Sequence, residues 1–272
     1  MSYIEMKGEE FVRKLLAGER DFTKIKLPAG YDLVNNEYFD ELQNYLKKQD
    51  LEKEPVILNN ASLKGLHAPC LYLPYVQGKR ADIWGANLSE ANLKGADLQE
   101  ARLGKANLQK ANLRKANLRG AALYCANLSK ADLRYASLPL AGLERANLSE
   151  ADLSKTYLRE AILNWADLSK ANLHDAYLPL TSLYCANLTE ANLTEANLQG
   201  SDLCIANLRK ANLDGAYFDR VNLMEADLRG VLNLDKVIDI DKAIFENTIV
   251  TDKEREIIER MLARRKLFDV RS

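Results

Sequence analysis

The stretch ANLSEANLKGADLQEARL, residues 86–103, decides the fold. Leu returns every fifth residue, Ala stands two places before it, and Asn or Asp mostly sits between them. The phrase runs without a break from Ala81 to Gly230. Every fifth residue from 83 to 228 is Leu, except Ile83 and Phe218. The place two before it is Ala in 26 of 30 repeats, the others being Thr156, Thr181, Ser201 and Val221. Asn or Asp fills the middle place in 21 of 30. A strict short period of this kind marks a solenoid.

A helix cannot use this period. At about 100° per residue, five residues advance about 500°, so a Leu stripe would spiral around a helix and never form one face. Ala and Leu two apart do share one side of an extended segment. The unit is therefore a short extended piece, small and large residues inward, followed by a two-residue corner. Such pieces close into an all-β solenoid whose coils pair at about 4.8 Å. Leu then stacks on Leu from coil to coil, Ala fills the tighter place, and the interior is narrow and dry, with no room for a ligand. The Asn and Asp columns are expected to bond neighbouring backbone or to stack as amide ladders.

The exceptions reveal the number of sides. Nine repeats lack Asn or Asp in the middle place: Arg102, Ala122, Ser137, Gly142, Tyr157, Ile162, Tyr177, Ser182 and Tyr217. Folded with three repeats to the coil, they scatter three to each side. Folded with four, all nine fall on two of four sides, and the other two sides keep Asn or Asp throughout. The reading is a four-sided coil with one repeat to each side. Repeated phrases agree: SLPL at 137–140 and YLPL at 177–180 lie two coils apart, and LYCANL at 123–128 and 183–188 three.

The A-(N/D)-L-x-x signature, as in residues 86–103 and again in ANLTEANLTEANLQGSDL at 186–203, resembles the pentapeptide-repeat protein family, cyanobacterial members of unknown role included. The resemblance implies a right-handed quadrilateral β-helix with Leu at the inward centre of each side. Members of the family include regulators of heterocyst formation and DNA-mimicking proteins that protect gyrase. It implies a fold more than a function.

The repeat continues upstream in weaker form at Val56/Leu58, Ala61/Leu63, Leu66/Ala68, Leu71/Leu73 and Val76/Gly78, which predicts a wider first coil. DFTKIKLPAGYDL, residues 21–33, reads as a partial coil. Residues 8–18 and 36–53 read as amphipathic helices, the second with Tyr38, Phe39, Leu42, Tyr45 and Leu46 on one face. The division expected is a cap over 1–55, a β-helix over 56–231, a loop and last partial coil over 232–250, and a C-terminal helix within 251–272. Residues 232–242 are the loop, and Ala243/Phe245 with Thr248/Val250 the partial coil. Thr251 to Glu254 is a capping box opening that helix, with Ile257, Ile258, Met261 and Leu262 as its apolar face. Solenoid ends expose unpaired edges, so the terminal helices are expected to cover them; the alternative for the last helix is a dimer contact.

Chemistry is absent from the pattern. His67 and His174 are the only histidines and lie more than five coils apart. Cys70, Cys125, Cys185 and Cys204 fit no metal spacing. Cys125 and Cys185 lie three coils apart, about 14 Å, too far for a disulfide. Cys185 and Cys204 come from adjacent coils but different columns. No Gly-rich phosphate loop appears. The expectation is a protein that is not an enzyme and holds no cofactor or metal. No window is apolar enough for a membrane span and no stretch reads as a signal peptide, so free thiols in a reducing cytoplasm are expected.

The exterior carries what function the sequence shows. The two regular sides present mostly Ser, Thr, Lys, Arg and Glu. One irregular side presents Trp84, Ala122, Tyr124, Cys125, Ile162, Trp165, Tyr184, Cys185, Cys204, Ile205 and Met224. The other, sharing a corner with it, presents Pro139, Leu140, Tyr157, Tyr177, Pro179, Leu180 and Tyr217. Apolar patches rich in aromatics mark contacts. The predicted partner surface is Tyr124, Pro139, Leu140, Tyr157, Ile162, Trp165, Tyr177, Pro179, Leu180 and Tyr184, for a protein partner or a second copy. The bland alternative is that a terminal segment covers it. A DNA mimic that binds a topoisomerase should be acidic along its length. Residues 81–230 hold 17 Lys and Arg against 18 Asp and Glu, which disfavours that role. Residues 101–140 are basic, eight Lys or Arg against Asp132, but Arg102, Lys105, Lys110, Arg114, Lys115 and Arg119 spread over all four sides, which makes a nucleic-acid partner unfavourable too.

Overall fold

The computed structural model describes residues 2–269. The elements are β1 (Ile4–Glu5), α1 (Gly8–Leu16), β2 (Ile25–Lys26), α2 (Phe39–Lys47), two 3-10 turns (Leu234–Lys236 and Ile240–Lys242) and α3 (Asp252–Asp269). Between α2 and the 3-10 turns the chain is a stack of single parallel bridges. From Ile57↔Gln77 to Asn212↔Leu232, every bridge joins residues 20 apart. Each bridge is at the middle place of a repeat. The Leu88 N–H donates to the Asn107 carbonyl (2.8 Å), and the Asn107 N–H donates to the Ala86 carbonyl (2.8 Å).

The corner follows from the same five residues. The Leu88 carbonyl accepts the N–H of Ala91, three residues on (3.1 Å), and closes a turn. The second turn residue has positive φ in every repeat from Gly85 to Gly230, including Glu90 (59°), Trp165 (57°) and Ile205 (58°). Left-handed backbone costs an L-residue about 1–2 kcal/mol. The core offsets this: the repeat Leu residues from 103 to 228 and the Ala residues beside them are essentially inaccessible. Thr156, Thr181 and Ser201, buried in the Ala place, donate their hydroxyls to the carbonyls of Leu153, Leu158 and Leu178. Buried polar groups are thereby paired.

At the N-terminal end more chain separates bridged residues, because α2 lies between them. Residues 21–33 bridge in parallel to the next coil at Asp21↔Ile57, Lys26↔Ser62 and Asp32↔His67, and β1 pairs with β2. Leu42 and Leu46 of α2 are buried, with Tyr38, Phe39 and Tyr45 packed partly against the core. Phe11 of α1 meets Phe22 edge to face at 4.8 Å. The filled interior expected from the repeat has gaps here, among them an apolar void of about 40 Å³ beside Leu66, Leu71, Gly78 and Ile83. Gly78 supplies no side chain where the next coils have Leu98, Leu118 and Leu138. A void lined only by hydrocarbon stays dry.

The C-terminal end corrects the sequence reading. Residues 232–242 are no loop, and 243–250 no separate partial coil. Leu232, Ile238, Ile244 and Ile249 bridge Asn212, Tyr217, Asn222 and Asp227, which makes one further coil. Two of its segments are one residue longer than the repeat. Each has a 3-10 turn and a left-handed residue ahead of it, Asn233 (57°) and Asp239 (52°). The extra residue destroys the five-residue period without ending the coil. α3 lies against both 3-10 turns, with Ile258 buried and Ile257, Met261 and Leu262 packed partly on the core. Glu254 takes the N–H of Thr251 (2.8 Å) and of Gly230 in the preceding coil (3.2 Å). Burial pushes this carboxyl up, but the bonds from Thr251 and Gly230 outweigh it and hold it below its usual range. The segment read as 251–272 has its last three residues outside those described.

Candidate functional site

On the two regular faces the middle Asn or Asp has two tasks. Its Oδ1 accepts the N–H two residues on, as Asn127 does from Ser129 (3.1 Å) and Asn192 from Thr194 (3.2 Å). An Asn also donates its Nδ2 to the same place one coil back: Asn107 to Asn87, Asn127 to Asn107, Asn192 to Asn172. Lys110 with Glu90 and Lys130 with Glu150 make exposed ion pairs between coils. Such pairs contribute little.

The irregular faces keep this lattice near their ends, as where Asn222 donates to Asp202, and replace it at Tyr157, Ile162 and Tyr177 with rings and alkyl groups. Tyr157 and Tyr177, one coil apart in the same column, stack at 5.0 Å and 13°. Trp165 meets Tyr184 edge to face at 5.6 Å, and the Arg145 guanidinium lies 5.6 Å from the Trp165 ring. Tyr124, Leu140, Ile162, Trp165, Tyr177 and Leu180 are all exposed, Leu180 to 55%. At residues 139 and 179 the corner carries Pro, which has no N–H for an Asn side chain to accept. Ser137 and Tyr177, two places earlier, are released from that duty.

Three surface assignments change. Pro179 is buried: its short ring lies in a surface depression walled by Tyr177 and Leu180. Tyr184 and Pro139 are half-buried, Tyr184 because the Trp165 ring covers part of it. The Cys185 thiol beside the Tyr184 phenol pushes that phenol up, and burial pushes the Cys204 thiol up, so Cys204 is no ready thiolate. Among the described residues no terminal element replaces solvent over Trp165 or Leu180, which are at least half exposed.

Sequence reading missed four participants. Tyr135 is 50% exposed on a regular face. Arg159, Gly200 and Arg220 line the depression beside Pro179, about 400 Å³ in volume. No sequence signal marks a depression made by an absent side chain. The two histidines stay apart, His67 beside Asn87 (3.2 Å) and His174 beside the Thr194 carbonyl (3.1 Å). Among the described residues no three metal-ligating side chains cluster, and no helix is long and apolar enough to cross a membrane.

The recurring bridges and the buried Leu and Ala columns define a repeat solenoid. The sequence profile described as "Pentapeptide repeats" matches in overlapping segments from residue 79 to 231, and the chain belongs to that family. HetL, a pentapeptide repeat protein involved in heterocyst differentiation regulation from the cyanobacterium Nostoc sp. strain PCC 7120, is 31% identical. That match covers 90% of this chain and 94% of HetL, with a TM-score of 0.40. The pentapeptide repeat protein alr5209 from Nostoc PCC 7120 is 33% identical over 40% of this chain and 84% of its own, with a TM-score of 0.31. QnrB1, a plasmid-mediated fluoroquinolone resistance protein, is 18% identical over 72% of this chain and 98% of its own, with a TM-score of 0.50, a likeness of fold alone. No curated protein matches the chain.

Proposed function

We propose that this chain is a non-enzymatic binding scaffold or regulatory protein that works through protein contacts on its two irregular faces. The observation that carries this reading is the segregation of exposed rings and alkyl groups. Tyr124, Leu140, Tyr157, Ile162, Trp165, Tyr177 and Leu180 all stand on adjacent faces, and the core beneath them is the same Leu and Ala as elsewhere. Large aromatics are the side chains that anchor contacts. HetL, a relative 31% identical in sequence, is itself involved in regulation, a role of the same class. The near-equal charge of the solenoid speaks against a mimic of duplex DNA. The scaffold in this reading is a right-handed β-helix of square section, its ends covered by α1 with α2 and by α3, working in the cytoplasm with its thiols reduced.

The test changes Tyr157, Trp165, Tyr177 and Leu180 together to Ser. The full chain is used to recover partners from native extract and is sedimented to detect self-association. Partner recovery or self-association falls at least tenfold while Tm hardly moves. A control with Lys130, Lys170 and Glu190 changed to Ser behaves like the parent. Unchanged binding by the fourfold variant, or its unfolding, would remove the reading.

A further inference from the structure

The depression beside Pro179 has a shape and chemistry of its own. It runs along the rod from Arg159 to Arg220. Tyr177, Pro179 and Leu180 wall it with hydrocarbon, and no carboxylate lines it. Its hollow exists because residue 200 is Gly: a Cβ there would come within 2.9 Å of Leu180 Cδ2. The corresponding corner places one coil to either side hold Leu180 and Arg220.

Both arginines are held in place and keep donors free. Arg159 gives its Nε to Glu160 (3.0 Å), and its side chain remains 48% exposed. Arg220 gives Nε to Asp219 Oδ2, with Nη2 3.1 Å away, and remains 66% exposed. Asp219 itself is buried. It also accepts from Gln199 Nε2 (2.9 Å) and lies 3.1 Å from Lys242 Nζ. Asp219 is thus a buried post that orients Arg220 from beneath. A guanidinium has five N–H donors, so each arginine can take a further carboxylate.

We propose that this depression docks an extended acidic and apolar segment of the protein partner, with one apolar side chain seated over Gly200 and a carboxylate on each arginine. The proposal rests on the contact-surface reading above and names the partner's chemistry. Arg159 and Arg220 belong to coils three apart, about 14 Å along the rod at about 4.8 Å per coil. An extended peptide covers that span in about four residues at about 3.3 Å each. The matching motif is an acidic residue, three residues with an apolar one in the middle, and a second acidic residue.

Selection of a phage-displayed library of random heptapeptides on the full chain tests this. The enriched sequences carry Asp or Glu at both ends of such a run, with Leu, Ile, Phe or Tyr at its centre. A synthetic peptide of that consensus binds at least tenfold more weakly to Arg159→Glu and to Arg220→Gln, which removes the charge without facing Asp219 with another. Gly200→Leu, which fills the hollow, weakens it likewise. Arg119→Glu, two coils away on the same face, leaves it unchanged. Circular dichroism melting accompanies each variant. No enrichment, a consensus without paired acids, or equal binding by the arginine variants overturns the proposal. If the arginine variants still recover partners while the fourfold Ser variant does not, this docking mode fails and the contact surface stands. If neither change matters, both readings fail.

Discussion

Asn192, on a regular face, and Tyr177, on an irregular one, occupy the same place in their repeats and bridge the same way to the coils on either side. Asn192 is tied down: it donates to Asn172 and accepts from both the N–H and the hydroxyl of Thr194. Tyr177 lies on Tyr157 and borders a hollow. The difference teaches that one core supports two kinds of surface. On the regular faces the middle side chain completes the backbone's hydrogen bonds. At Tyr157, Ile162 and Tyr177 on the irregular faces that task is dropped, or removed by Pro179, and the side chain is available for something else.

Four measurements strain this comparison, taken from the largest effect down. Leu168→Ala, beneath a regular face, and Leu163→Ala, beneath an irregular one, both leave buried cavities and each cost about 2–5 kcal/mol in urea unfolding. A cost at Leu163 less than half that at Leu168 would mean that the two halves differ in core as well as surface. Next, Asn192→Ala strands the Thr194 N–H and costs about 1–2 kcal/mol. Leu180→Ser, at an exposed corner, stays within about 0.5 kcal/mol. Equal costs would show the irregular side chains to be structural. Third, Ile205→Gly relieves a β-branched residue at φ 58° and raises stability by up to about 1 kcal/mol, read from the urea midpoint. A loss instead would reveal a packing role for Ile205.

The smallest effect is titration. Asp132 and Asp227 stand in the middle places of regular faces. Burial lifts Asp132, but its bonds to Arg134 prevail; for Asp227 the Arg229 side-chain bond leads. Both carboxyls are therefore held below the ordinary aspartate value of 3.8. A group depressed in the folded state adds stability above its unfolded value, and that stability is lost as pH falls through the folded one. Acid unfolding below about pH 4 should be shallower for Asp132→Asn than for the parent. Ile162, on an irregular face, carries no titratable group, so Ile162→Ser leaves the acid limb unchanged.

How far the sequence could be read depends on what each level of structure conserves. The coil length was legible because the nine exceptions divide cleanly at four repeats to the coil, and the bridges recur at that interval. The last coil was illegible because two added residues, absorbed at Asn233 and Asp239, shift the frame while keeping the bridges. Tyr135 escaped notice because it stands alone among charged neighbours. Pro179 was placed outside because column position gives direction but not depth. The hollow at Gly200 was invisible because its cause is a missing side chain on one coil and a Leu on another. The convergence of Arg220, Gln199 and Lys242 on Asp219 draws on three coils, and no local pattern announces it.

The stacking interval has a consequence for how such a gene can change. The core recurs with every repeat, each face only with every fourth. Losing or gaining one repeat leaves every inward Leu and Ala in register, so the chain still folds. Yet it moves every later side chain on to the neighbouring face. Tyr157 and Tyr177 would no longer share a column with residues on the far side of the lesion. Only the loss or gain of whole coils changes the length of the rod and preserves its surface. Gain or loss of single repeats would therefore be neutral for folding and severe for recognition, and selection on the proposed contact faces would be what holds the repeat number fixed.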